Sequence, residues 1–118
     1  MASPNLKSPT TITGKSVAYA PTTTIGAALS NAANSNQALK VNSIFCANIG
    51  AGQADITVSR YDGTTDSYIA FTITVPAKAT QVLCSQQTYF YLEEGQSIRA
   101  LASANSTLQL VIGYEVIA

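Results

Sequence analysis

The sequence predicts an all-β fold: a single-domain β-sandwich of about eight strands, with jelly-roll or Greek-key connections and an extended N-terminal arm. Three observations point there. Short runs in which apolar and polar residues alternate recur along the chain, the signature of strands with one buried face. Clusters of Gly, Asp, Asn and Ser separate these runs and supply the turns. No segment carries a convincing helical period. The 118 residues suffice for one domain with a modest core, and 47% apolar content is too high for a disordered chain.

Residues 1–10, rich in Ser and Pro with Pro4 and Pro9, favour an extended arm, and residues 11–118 form the sandwich domain. The first strand spans 11–20 and closes at Pro21. A weaker one covers 22–29. Residues 30–37 (SNAANSNQ) hold enough Ala to suggest a helix. Asn and Ser side chains compete for backbone hydrogen bonds, however, so this is a loop. Segment 38–49 has Val41, Phe45, Ala47 and Ile49 on one parity and Ile44 and Cys46 on the other. That pattern predicts a central strand buried on both faces. After Gly50-Ala51-Gly52, segment 54–61 sends Ile56 and Val58 inward and Asp55, Thr57 and Ser59 outward.

Asp62-Gly63 marks a hairpin over 62–66. Beyond it Ile69, Phe71, Ile73 and Val75 alternate strictly with Tyr68, Ala70, Thr72 and Thr74, which predicts one inward face. Pro76 ends that strand, since it has no N–H for the ladder. Strands then follow over 80–85, 88–92, 97–102 and 107–117, with turns at 93–96 and 103–106. The last strand sends Leu108, Leu110, Ile112, Tyr114 and Val116 to one face.

Composition narrows function. Six basic residues balance six acidic ones, and charged residues are only 10% of the chain. Nucleic acid is therefore not an expected partner, because its binding is dominated by phosphate neutralisation. The chain has no His, hence no side chain that titrates unperturbed near neutral pH and no member of an ordinary Ser or Cys triad. An enzyme is not expected, and no catalytic residue, metal ligand set or cofactor site is assigned. No apolar run reaches membrane-spanning length and the first residues carry no apolar signal core, so neither a span nor a signal peptide is expected. Cys46 and Cys84 lie in apolar strands and read as buried free thiols.

The remaining chemistry-bearing residues have bland explanations. Adjacent Glu93 and Glu94 would point to opposite faces of a strand, so an acidic turn before Gly95 fits better than a carboxylate pair. Asp62 and Asp66 lack the spacing of a calcium loop and belong to a solvated hairpin tip. Asn105-Ser106-Thr107 matches the glycosylation rule by chance. Tyr89-Phe90-Tyr91 is the densest aromatic cluster; alternate members fill the core, or the tyrosines form a carbohydrate or partner platform. Lys40, Arg60, Lys78 and Arg99 are isolated charges, and Arg99 is placed to pair with Glu93 or Glu94.

Three stretches carry a resemblance: VNSIFCANIGAGQADITVSRYDG, then ITVPAKATQVL, then YLEEGQSIRALASANSTLQLVIGYEVI. They cover residues 41–63, 73–83 and 91–117, and over roughly residues 38–118 the chain resembles small β proteins encoded by tailed bacteriophages, including phages of cyanobacteria. The shared pattern is an I-x-x-AN strand, a VPA-x-AT segment, a LEEGDSIRA-x-AS turn and a closing SYE-I strand. The matching residues here are Ile44, Ala47 and Asn48; Val75, Pro76, Ala77, Ala79 and Thr80; Leu92 to Ala100, with Ala102 and Ser103; and Tyr114, Glu115 and Ile117. Gln96 stands where the pattern has Asp, and Gly113 where it has Ser. These motifs are structural turns.

The resemblance implies a virion structural protein: a capsid decoration (cement) protein, or a neck or tail accessory subunit. It would be assembled in the bacterial cytoplasm and located in the virion. The expected partners are copies of itself, as a homo-oligomer and most simply a trimer, and the major capsid protein or other virion proteins. Candidate interface residues are Pro4, Leu6, Lys7 and Pro9 of the arm, with Tyr89, Tyr91 and Arg99. A carbohydrate-binding module using Tyr89 or Tyr91 is the alternative from another class.

Overall fold

The computed structural model describes residues 11–118. The described residues form nine strand segments: β1 (Ile12–Tyr19), β2 (Gly26–Ser30), β3 (Ala38–Asn48), β4 (Ala54–Tyr61), β5 (Asp66–Val75), β6 (Thr80–Cys84), β7 (Phe90–Leu92), β8 (Ser97–Ala102) and β9 (Leu108–Ile117). A single 3₁₀ turn, Gln86–Thr88, separates β6 from β7. One sheet has the order β1-β9-β3-β6, with β7 also pairing to β3; the other has the order β2-β8-β4-β5. All pairings are antiparallel.

β6 pairs with Ile44–Ala47 of β3 and β7 pairs with Leu39–Val41, so together they fill one strand position. Eight positions then pair as first with last, second with seventh, third with sixth and fourth with fifth. That nested winding of one long hairpin over two sheets is the jelly roll. Its innermost turn is Asp62-Gly63, where Gly63 takes φ +98°, a backbone state that costs glycine little.

The core lies between the sheets. Val41, Ile44, Ile56, Val58, Val75, Leu92, Ile98, Leu108, Leu110 and Ile112 are buried. Each such side chain contributes about 1.5–3 kcal/mol relative to exposure. β3 is the central strand expected, but it is not buried on both faces. The pairing with β9 shifts between Val41 and Ser43, which leaves Asn42 as an extra residue. One extra residue inverts the side-chain phase. Val41, Ile44 and Cys46 therefore all reach the core, while Phe45 and Ile49 are exposed. The mixed parity in the sequence records a bulge.

β5 departs from its expectation for the same reason. Its register against β4 shifts between Ile56 and Val58 and again between Val58 and Ser59, and Thr72 sits at φ +53°. Ala70 and Val75 are buried, but Phe71 is 65% exposed and Ile73 38%. The strict alternation thus does not mark one inward face. Thr57 and Ser59 do lie on the outer side of β4, yet both are buried: Thr57 Oγ1 accepts the Thr72 N–H at 3.0 Å and Ser59 Oγ donates to Asp66 Oδ1 at 2.7 Å.

Candidate functional site

Three of the segments singled out in the sequence meet two buried asparagines, Asn48 and Asn31. Asn48, ending the I-x-x-AN strand, donates through Nδ2 to Val75 O and Gly52 O, each at 2.9 Å, while its Oδ1 accepts the Gly50 N–H at 2.8 Å. Its backbone N–H bonds Ala79 O at 2.8 Å. Val75 and Ala79 both belong to the VPA-x-AT segment. At the other end, Asn31 donates through Nδ2 to Leu92 O and Gln37 O at 2.9 Å and accepts from Ser35 Oγ at 2.6 Å. Leu92 opens the LEEG turn. A buried amide satisfied on both ends pins loops, so these motifs hold the fold together.

Two of the acidic residues, Glu94 and Asp62, are likewise used structurally. Glu94 Oε2 accepts the Asn36 N–H at 2.8 Å, and Gln96 Oε1 accepts the Glu93 N–H at 2.9 Å. Asp62 Oδ1 accepts the N–H groups of Thr65 and Thr64 at 2.7 and 2.9 Å. Those bonds lower its carboxyl pKa, and the Arg60 charge contributes less. Among the described residues no three His, Cys, Asp or Glu side chains cluster as metal ligands. Cys46 and Cys84 are buried free thiols on neighbouring strands. Burial pushes Cys46 from its usual 9.0 up to about 11.

Arg99 does not pair with Glu93 or Glu94. Its Nη2 lies 3.0 Å from Asp66 Oδ2, and its guanidinium covers the Tyr61 ring at 4.1 Å. The reason is strand order: β4 sits between β8 and β5, so Arg99, Ser59 and Tyr68 are register neighbours. Arg99 therefore braces the outer face of its sheet across β8, β4 and β5. Of the other candidate interface residues, Pro4, Leu6, Lys7 and Pro9 lie outside the described residues. Tyr89 is 47% exposed. Its ring meets Tyr91 edge-on at 5.9 Å, and Lys40 Nζ sits 4.4 Å above it. Phe90 packs against the core, so the cluster divides between core and surface.

The structure exposes three surfaces that the sequence reading did not single out. On the outer face of the β1-containing sheet, Ala18, Val111 and Phe45 are cross-strand neighbours, with Val82 beside Phe45. Next to this apolar row stand Ser16, Gly113 and Ser43, where a side chain on Gly113 would come within 2.9 Å of Ser43 Oγ. On the outer face of the other sheet, Tyr68 and Phe71 meet edge-on at 4.8 Å, both exposed. Finally, a groove of about 270 Å³ opens between β5 and β7, lined by Arg60, Ser67, Tyr68, Ile69, Phe90 and Tyr91.

These features define a small jelly-roll domain with apolar outer rows, in which the Asp62 and Glu94 carboxylates hold turns and Asp66 forms an ion pair. No protein-family model matches the chain, and no curated protein matches it. Among solved structures, it is similar to a chain of the Bacillus endospore appendages, described as a family of disulfide-linked pili. That match has 17% identity and a TM-score of 0.52, covering 91% of this chain and 88% of the other. At such identity the likeness shows the fold alone.

Proposed function

We propose that this protein is a bacteriophage virion structural protein, a capsid decoration subunit that self-associates as a trimer and binds major capsid subunits. The observation that carries the reading is the uncharged outer row of Ala18, Val111, Phe45 and Val82, flanked by small residues. Covering such a face removes apolar area from water with little charge desolvation. The phage-like motifs over residues 38–118 support the same assignment. The endospore appendage chain is a pilus component with a similar fold, which supports a role in assembly. It also favours, as a second reading, a neck or tail position built from stacked or ringed subunits.

The experiment is reconstitution. The full chain is added to capsids that lack it, and bound copies are counted by cryo-electron microscopy. Hundreds of copies per particle support decoration, and a dozen or fewer at one vertex support the neck. No binding overturns both. Val82→Asp on the outer row, and deletion of residues 2–10, should each lower occupancy while leaving the unfolding free energy within about 0.5 kcal/mol of the parent.

A further inference from the structure

The groove between β5 and β7 is unlike the rest of the surface, because a cation enters it from the core-facing side of a strand. Arg60 continues the parity of the buried Ile56 and Val58 along β4, and its register partners are Ser67 and the buried Ile98. Its position at the flank of the sandwich turns that inward direction into the groove, where it joins Ser67, Tyr68, Ile69, Phe90 and Tyr91. Among the described residues Arg60 makes no ion pair, since the one pair found there joins Arg99 to Asp66. Asp62, on whose carboxyl the Arg60 charge acts weakly, is held by the Thr64 and Thr65 N–H groups. A second cation, Lys40, stands over Tyr89, which itself meets Tyr91.

We infer that this groove binds an acidic saccharide, a pyranose carrying a carboxylate. The chemistry matches part by part. A guanidinium holds a carboxylate through two parallel hydrogen bonds. Tyrosine offers an apolar ring face and a hydroxyl at its tip, which suits a sugar ring, and Ser67 adds a further hydroxyl. The volume, about 270 Å³, lies just below the usual range for ligand pockets and suits a single sugar residue. The flanking cations disfavour the chain's own arm, whose charged side chain is Lys7. An acidic peptide is disfavoured too. It would add as a strand to an edge, yet β5 is bulged twice and the 3₁₀ turn interrupts β6 and β7. Two separate cations, Arg60 and Lys40, are also too little charge for a nucleic acid. The inference is independent of where in a virion the subunit sits.

The test titrates the full, isotope-labelled chain with trigalacturonate and follows backbone amide shifts. Shifts at Arg60, Ser67, Tyr68 and Tyr91 that saturate in the millimolar range are expected. Arg60→Gln should weaken binding about tenfold or more, whereas Lys78→Gln, the same charge change on an exposed turn, should leave it unchanged. Cellotriose should bind at least about tenfold more weakly. Should Arg60→Gln fail to give a dispersed, folded spectrum, Tyr68→Ala on the exposed rim carries the comparison, with the same loss expected. The inference is overturned by an absence of saturable shifts, by equal binding of cellotriose, by equal shifts with inorganic phosphate, or by groove variants that bind as the parent does.

Discussion

Arg99 on β8 reaches across β4 to Asp66 at the start of β5, with Nη2 and Oδ2 3.0 Å apart. Both side chains are three-quarters or more buried, at 25% and 20% exposure. Asp66 also accepts from Ser59 Oγ, and the guanidinium covers Tyr61. One pair thus links three strands of one sheet.

Removing one partner should cost more than a surface ion pair does. Asp66→Ala leaves a mostly buried guanidinium unpaired and should lower stability by about 2 kcal/mol, between the values for exposed and fully buried pairs. Arg99→Met in that background should recover part of the loss, because the stranded charge is gone. Urea unfolding of the parent, the single variant and the double variant measures both. A loss under about 0.5 kcal/mol for the single variant would mean that solvent already satisfies the pair.

Asn48→Ala should destabilise more than a typical surface change, by about 2–4 kcal/mol. It strands Val75 O, Gly52 O and the Gly50 N–H, and each unsatisfied buried group costs about 1–3 kcal/mol before water re-enters. Hydrogen exchange should also speed at Asn48 and Gly50. Unchanged exchange there would show that the pin is dispensable.

Cys46 predicts a specific alkaline weakening. Its thiol, at 9.0 when unperturbed, is raised to about 11 in the fold. The folded state therefore holds the proton that the unfolded chain releases. That contribution is complete below the unfolded value and is lost as pH rises through the folded one. Urea midpoints should fall between pH 9 and 11 more steeply for the parent than for Cys46→Ala. A disulfide-exchange reagent should modify Cys46 no faster than the protein unfolds.

Thr72→Gly should be neutral to stabilising, by up to about 1 kcal/mol. A β-branched residue at φ +53° is strained, and the bond from its backbone N–H to Thr57 Oγ1 survives the change. Thermal unfolding reads it. A loss of more than about 1 kcal/mol would mean that the exposed threonine side chain contributes packing at the bulge.

The strand order along the chain is legible because half-buried strands must alternate, and the segments over 38–49, 54–61 and 107–117 coincide with β3, β4 and β9 to within a few residues. The facing of individual side chains is less legible. Asn42 and the two irregularities in β5 each shift phase by one residue, and nothing in the local composition marks them. Phe71 carries an apolar period yet stands in solvent for this reason. The groove was partly legible: Tyr91 belongs to the aromatic run at 89–91. Arg60 and Tyr68 join it only through contact between the edges of two different sheets.

Taken alone, the sequence determined the class of fold, the turn positions, the buried thiols and the low, balanced charge, since each follows from local periodicity, turn chemistry or counting. Tertiary structure alone decided which strands became neighbours, and with that the partner of Arg99, the apolar row through Val111 and Phe45, and the inward aim of Arg60. The physical reason is the range of the interactions. Alternation and turn preference act over a few residues, whereas pairing places β9 between β1 and β3, and β4 between β8 and β5. A one-residue bulge then decides which face each side chain shares.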